Sequence, residues 1–200
     1  FMVNQQLKKL FQEKIVVLDG AMGTALQDCN LTAADFGGEE YEGCNEYLVV
    51  TRPAVIQGVH ESYLAAGADI VETNTFGGVN FVLGEYDLAD RVAEINTVAV
   101  QLAKKACDKY STLEKPRFVA GSMGPTTKAL SVTGGISFDD LAFSFYEQAK
   151  VLVAAGADFL LLETALDTLN LKAGYVGIQR AFEECKRDIP IAISGTIETM

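Results

Sequence analysis

Ala154-Ala155-Gly156-Ala157-Asp158-Phe159-Leu160-Leu161-Leu162-Glu163-Thr164 reads as a helix end, a turn, an apolar strand and a polar strand end. Gly156 suits the left-handed residue that closes a helix, and Phe159–Leu162 is a short apolar run of strand length. The opening recurs as Ala65-Ala66-Gly67-Ala68-Asp69, again leading into an apolar strand. That strand ends in Glu72-Thr73 and the other, longer one in Glu163-Thr164. Repeated units that each close a strand with polar residues point to βα modules of a barrel. The same echo also serves as the helix–Gly–strand connector of an open doubly wound sheet, so it leaves both architectures open.

Outward from this stretch the chain alternates strand and helix. The pattern predicts strands near 15–18, 69–73, 117–121, 159–163 and 190–194, and helices near 2–13, 53–66, 88–109, 138–155 and 168–186. Pro53 suits a first helical turn, Ser137 with Asp140 resembles a capping box, and Gly67 suits a helix end. No GxGxxG or GxxxxGK[ST] follows any strand, which removes the usual dinucleotide and P-loop signatures.

Composition narrows the class further. The 200 residues are 49% hydrophobic and 22% charged, the balance of a soluble α/β domain with one sizeable core. A formal charge of −11, with 16 dispersed Lys and Arg, disfavours nucleic acid. No apolar run reaches membrane-spanning length, and the expected location is cytoplasmic. Cys29, Cys44, Cys107 and Cys185 form neither a CxxC nor an adjacent pair, and read as free or buried thiols. The single histidine, His60, falls in a helical pattern and is expected to be a partly exposed helix residue.

The chemistry-bearing stretch is Val17-Leu18-Asp19-Gly20-Ala21-Met22-Gly23-Thr24. Ile15–Leu18 reads as a buried strand, and Gly20 and Gly23 let the backbone approach a ligand with its N–H groups. Asp19 at the strand's C-terminal edge either binds that ligand or caps the turn.

Asp19-Gly20-Ala21-Met22-Gly23-Thr24, Glu72-Thr73-Asn74-Thr75-Phe76, Gly121-Ser122-Met123-Gly124-Pro125-Thr126 and Leu162-Glu163-Thr164 follow one another at strand ends. In this order they resemble the homocysteine-binding (homocysteine S-methyltransferase) domain of cobalamin-dependent methionine synthases, along nearly the whole chain. Betaine–homocysteine and S-methylmethionine–homocysteine methyltransferases are the nearest alternatives. The resemblance implies a (β/α)8 TIM barrel, with residues 1–200 as its N-terminal part: a pre-barrel helix at 1–14 and about five of eight βα units. Ser194–Met200 resembles the end of the fifth strand and the start of its loop.

The same resemblance implies zinc bound by three cysteines, from an Asn-Cys and a later Cys-Cys that these residues lack. The zinc ligands are therefore expected outside the chain, and Cys44, in a loop, carries no metal role. Methylcobalamin and methyltetrahydrofolate would be held by other domains. No catalytic residue is expected here, and the 200 residues alone are expected to be inactive in methyl transfer. A half-barrel that binds or assembles without catalysis is the other reading.

For homocysteine itself, the resemblance implies that Glu163 pairs with the ammonium and that Asp19 shares it or orders the turn. Backbone N–H groups of Gly20, Ala21 and Met22 would take the carboxylate, and Asn74 and Thr75 would add hydrogen bonds. Glu72, a strand-end acid at the same height, either joins the site or orders the neighbouring loop. Ser122–Ile136, with Lys128, reads either as a gate for a docking cobalamin domain or as a flexible surface loop. The acidic stretch 28–50 reads as a solvated surface.

Overall fold

A computed structural model describes residues 2–132 and 134–197. Helix α1 (Met2–Glu13) is followed by three short helices, α2 (Met22–Gln27), α3 (Ala33–Phe36) and α4 (Leu48–Thr51), then α5 (Pro53–Ala66) and β1 (Ile70–Glu72). Next come α6 (Asn80–Leu83), α7 (Val92–Tyr110), β2 (Phe118–Met123), α8 (Phe138–Ala155), β3 (Phe159–Ala165), α9 (Thr168–Cys185) and β4 (Ile191–Gly195). The four strands form one parallel sheet in the order β1-β2-β3-β4, an α/β architecture.

Period-two alternation divides the strands between two cores. Val71 and Val119 pack with Leu64, Ala103 and Cys107 under α5 and α7, and Leu160 and Leu162 pack with Phe145 and Ile178 under α8 and α9. Ile70, Phe118, Ala120, Phe159 and Leu161 point to the opposite face, where Leu7 of α1 covers them. Counting on by twos puts Glu72, Ser122 and Glu163 on that second face, at the C-terminal ends of three neighbouring strands.

Helix boundaries follow local chemistry. Pro53 opens α5, and Gly67 and Gly156 close α5 and α8 at φ +119 and +103, a conformation glycine reaches without a Cβ penalty. Ser137 caps α8 by accepting the Asp140 amide at 3.1 Å. Helix α9 lies so close to α8 that a Cβ on Gly177 would strike the Ala142 carbonyl and the Tyr146 amide.

The repeated Ala-Ala-Gly-Ala-Asp has a structural use. Asp158 accepts the Val119 amide at 2.7 Å and pairs with Lys104 at 2.5 Å. In the other copy, Asp69 accepts the Val17 amide at 3.1 Å and pairs with Lys14 at 2.6 Å. Asp158 thus fastens the start of β3 to β2, and Asp69 fastens the start of β1 to the segment around Val17.

Three expectations change. Residues 15–18 do not form a buried strand: Leu18 makes an isolated parallel bridge to Ile70, while Ile15 is 91% and Val17 52% exposed. Only β1 flanks this segment among the described residues. His60 is fully buried, not partly exposed, with neither ring nitrogen hydrogen-bonded among the described residues. The stretch 28–50, expected as a loop, contains short helices, with Asp35 accepting the Thr32 amide and pairing with Arg52, while Asp28, Glu39, Glu40 and Glu42 are exposed as a solvated surface would have them. The Glu198–Met200 part of the expected fifth-strand loop lies outside the described residues.

Candidate functional site

A cleft of about 450 Å³ opens at the C-terminal ends of the strands, lined by the turn from Asp19 to Gly23 and by Asn45, Glu46, Glu72, Thr73, Asn74, Phe76, Ser122 and Glu163. Three of its carboxyl groups come from separate parts of the sheet. Asp19 follows the bridging segment and accepts the Glu72 amide at 3.0 and 3.2 Å, so it orders the turn while facing the cleft. Burial, with a smaller push from the Glu163 charge, outweighs that bond and raises Asp19 to about 7.

Glu72 lies in the cleft lining beside Glu163. Burial first, then the charges of Glu163 and Asp19, push Glu72 up to about 8. Glu163 accepts the Ser122 hydroxyl. It stands where β3 loses register against β4, between Leu162 and Ala165, and Thr164 beside it takes φ +53. Strained backbone of this kind clusters where a side chain must be aimed.

A fourth acid enters from the 28–50 stretch. Glu46 leaves the expected solvated surface, accepts the Gly77 amide at 2.7 Å, and is raised by burial. Gly77 permits that approach, since a Cβ there would come within 2.9 Å of the Glu46 carboxylate. None of Asp19, Glu46, Glu72 or Glu163 forms an ion pair among the described residues. The arrangement therefore favours a cation, or holds protons in its absence.

The remaining expected residues divide. Gly20, Ala21 and Met22 line the cleft, with Ala21 extended before the first turn of α2 and no side chain capping that turn. Gly20 has no room for a Cβ, which would meet the Tyr63 hydroxyl at 2.9 Å. Asn74 lines the cleft while its amide donates to the Asn45 carbonyl at 2.7 Å. Thr75 lies beneath it: fully buried, it donates its hydroxyl to the Ser122 carbonyl at 2.7 Å.

Ser122, Glu46 and Asn45 were not singled out from sequence. Period-two counting from Phe118 puts Ser122 on the same face as Glu72 and Glu163, whereas nothing local marks Glu46 or Asn45. The loop after β2 is tied to the start of α9. Asn170 donates to the Pro125 and Lys128 carbonyls and accepts the Leu130 amide, and Asp167 accepts the Ser131 amide. Thr133, in the same loop, lies outside the described residues.

The described residues do not fit a zinc ion. No group of three His, Cys, Asp or Glu is arranged to hold a metal. Burial pushes the Cys44 and Cys107 thiols up to about 11 and about 12, away from the thiolate a metal requires. No helix among the described residues is long and apolar enough to cross a membrane.

A family model described as homocysteine S-methyltransferase matches residues 16–200. Over 193 residues the chain is 42% identical to the methionine synthase of Mycobacterium leprae (strain TN) and to that of Mycobacterium tuberculosis (strain ATCC 25618 / H37Rv). Those alignments cover 96% of this chain but only 16% of each relative. Among solved structures, the oxidised form of the homocysteine methyltransferase MmuM from Escherichia coli matches with a TM-score of 0.71 at 25% identity, over 87% of this chain and 62% of that one. Its apo form matches in fold with a TM-score of 0.69 at 24% identity, over 96% and 63%.

Proposed function

Because this chain belongs to the homocysteine S-methyltransferase family, we propose that its cleft holds the amino-acid end of homocysteine for methyl transfer in methionine synthesis. The observation that carries this reading is the convergence of Asp19, Glu72 and Glu163 in one cleft without a cation among the described residues. Glu163, held by Ser122, takes the substrate ammonium, with Asp19 and Glu72 sharing its charge. Backbone N–H groups of Gly20, Ala21 and Met22 take the carboxylate, the usual partner of exposed amides at a helix start. Asn74 adds a hydrogen bond through its amide oxygen. Thr75 acts from below by holding the strand end.

Holding the ammonium and the carboxylate, both carried by the α-carbon, at fixed points leaves the thiol at the far end of the side chain free for reaction. Orientation of this kind removes a large entropic part of a bimolecular barrier. The thiolate is the nucleophile in such chemistry, and in this reading zinc and its ligands are supplied from outside these residues. The methyl group would arrive on methylcobalamin carried by another domain of a longer enzyme and recharged from methyltetrahydrofolate. The four strands and the bridging segment at Leu18 would then be the first five strands of a (β/α)8 barrel. The 42% identity to two methionine synthases supports this methyl source over the betaine and S-methylmethionine alternatives.

Calorimetric titration of the chain with L-homocysteine and with 4-mercaptobutyrate, which lacks the amino group, tests the reading. The expected result is binding of homocysteine, weaker binding of the desamino compound, and a loss of about tenfold or more in Glu163→Gln, the scale of one charge-assisted hydrogen bond. Equal binding of both compounds, or an unchanged Glu163→Gln, would sink it.

A further inference from the structure

Glu163 stands at the most irregular point of the sheet, where β3 slips register against β4 and Thr164 takes a left-handed conformation. The strand ladder alone therefore does not fix its carboxylate. Support comes from the side, through the Ser122 hydroxyl donating to Glu163 Oε1. Ser122 is itself held on both flanks of its peptide. Its amide donates to Thr73 Oγ1 at 3.0 Å, and its carbonyl accepts Thr75 Oγ1 at 2.7 Å and Gln148 Nε2 at 3.4 Å.

Gln148 reaches this point from the middle of α8 and is fully buried. Its Nε2 also donates to the Thr75 carbonyl at 2.8 Å and meets Asn96 Oδ1 of α7 at 3.3 Å. Asn96, buried as well, donates to the Gly78 carbonyl at 2.7 Å and the Val92 carbonyl at 2.8 Å. A continuous hydrogen-bonded line thus runs from two outer helices, through the ends of β1 and β2, to a carboxylate in the cleft.

Gln148 Oε1 has no partner among the described residues. A buried amide with one end unsatisfied costs stability; a methionine would fill a similar volume without the unpaired oxygen, but would leave the buried Asn96 Oδ1 without its Gln148 donor. What a methionine would not do is hold the Thr75 and Ser122 carbonyls. This feature argues for a duty other than packing.

We propose that Ser122 and Gln148 are positioning residues for amino-acid binding: Gln148 fixes the peptide of Ser122, and Ser122 fixes the carboxylate of Glu163. The inference rests on the reading of the cleft as an amino-acid site. Neither residue needs to touch the substrate. Both act on how tightly it is held rather than on the stability of the fold.

The test is a double-mutant cycle on the 200-residue chain, measuring L-homocysteine affinity by calorimetry and Tm in parallel. Ser122→Ala and Gln148→Met are each expected to weaken binding by about three- to tenfold, the range of one hydrogen bond to a charged group. Tm should be unchanged in Ser122→Ala and should change little in Gln148→Met, which exchanges the unpaired Gln148 Oε1 for an unpaired Asn96 Oδ1. In a Glu163→Gln background, Ser122→Ala should add little, because coupled residues do not act additively. Should Gln148→Met not fold, Gln148→Leu, which also lacks the donor, takes its place and is expected to weaken binding likewise. Wild-type affinity in both positioning variants overturns the proposal, as does an equal effect of Ser122→Ala with and without Glu163. Wild-type affinity in Glu163→Gln, or no binding by the wild-type chain, instead overturns the amino-acid site and the proposal with it.

Discussion

Asp158 accepts the backbone amide of Val119 at 2.7 Å, and its own amide donates back to the Val119 carbonyl at 2.9 Å. This reciprocal pair pins the start of β3 to β2, and Lys104 balances the buried carboxylate at 2.5 Å. Asp158→Ala leaves the Val119 amide without an acceptor and Lys104 without its partner. A loss of about 2–3 kcal/mol is expected by urea denaturation, with a similar loss in Asp69→Ala. A change below about 0.5 kcal/mol, the level of ordinary surface substitutions, would mean that the repeated aspartates do not staple the sheet.

Glu72 makes the folded chain pay for its own cleft. Its carboxyl titrates near 8 when folded, against 4.5 for the free group, because burial and the neighbouring acids oppose its charge. Between those values the folded state binds more protons than the unfolded one, so stability falls as pH rises from about 4.5 towards 8. Glu72→Gln removes that contribution. It is expected to stabilise the chain by on the order of 1–2 kcal/mol at pH 8 and by little at pH 4.5, read as Tm across the range.

The same protons compete with an ammonium ion. With Asp19 near 7 and Glu72 near 8, the cleft gains negative charge as pH rises through that window. Homocysteine affinity should therefore increase from pH 6 to pH 8 by about tenfold, with protons released on binding, as shown by calorimetry in buffers of different ionisation enthalpy. Affinity that falls over this range would argue against an ammonium site.

His60 gives the opposite slope. Burial lowers it to about 4 from 6.5, and both ring nitrogens lack partners among the described residues. The unfolded chain binds the proton more tightly, so this group's cost to folding grows as pH falls from about 6.5 to 4. His60→Leu keeps the site apolar and removes the unpaired nitrogens. A gain of about 1–3 kcal/mol at pH 5 is expected, with a smaller gain at pH 8.

Much of this arrangement is legible before folding is considered. The apolar runs and helix caps mark α5, α8, β2 and β3, since strand length, Pro53, Gly67 and Gly156 are local signals. Asp19 and Glu163 are legible as strand-end acids. His60 was misjudged because its surroundings are set by neighbouring elements, not by the helix that carries it. Ile15–Leu18 was misjudged because an apolar run takes up strand pairing only where a neighbour offers a ladder, and here β1 offers a single bridge.

The sequence by itself determined the βα repeat, the parallel sheet and the alternation that sends Glu72, Ser122 and Glu163 to one face, because these follow from caps, turns and a period of two. Only the tertiary structure decided that Glu46 would turn inward onto Gly77, that Thr75 would lie beneath the cleft, and that Gln148 would reach the strand ends from α8. Those contacts join residues some 30 to 70 positions apart. No local propensity encodes them, since they exist only once the helices have packed onto the sheet.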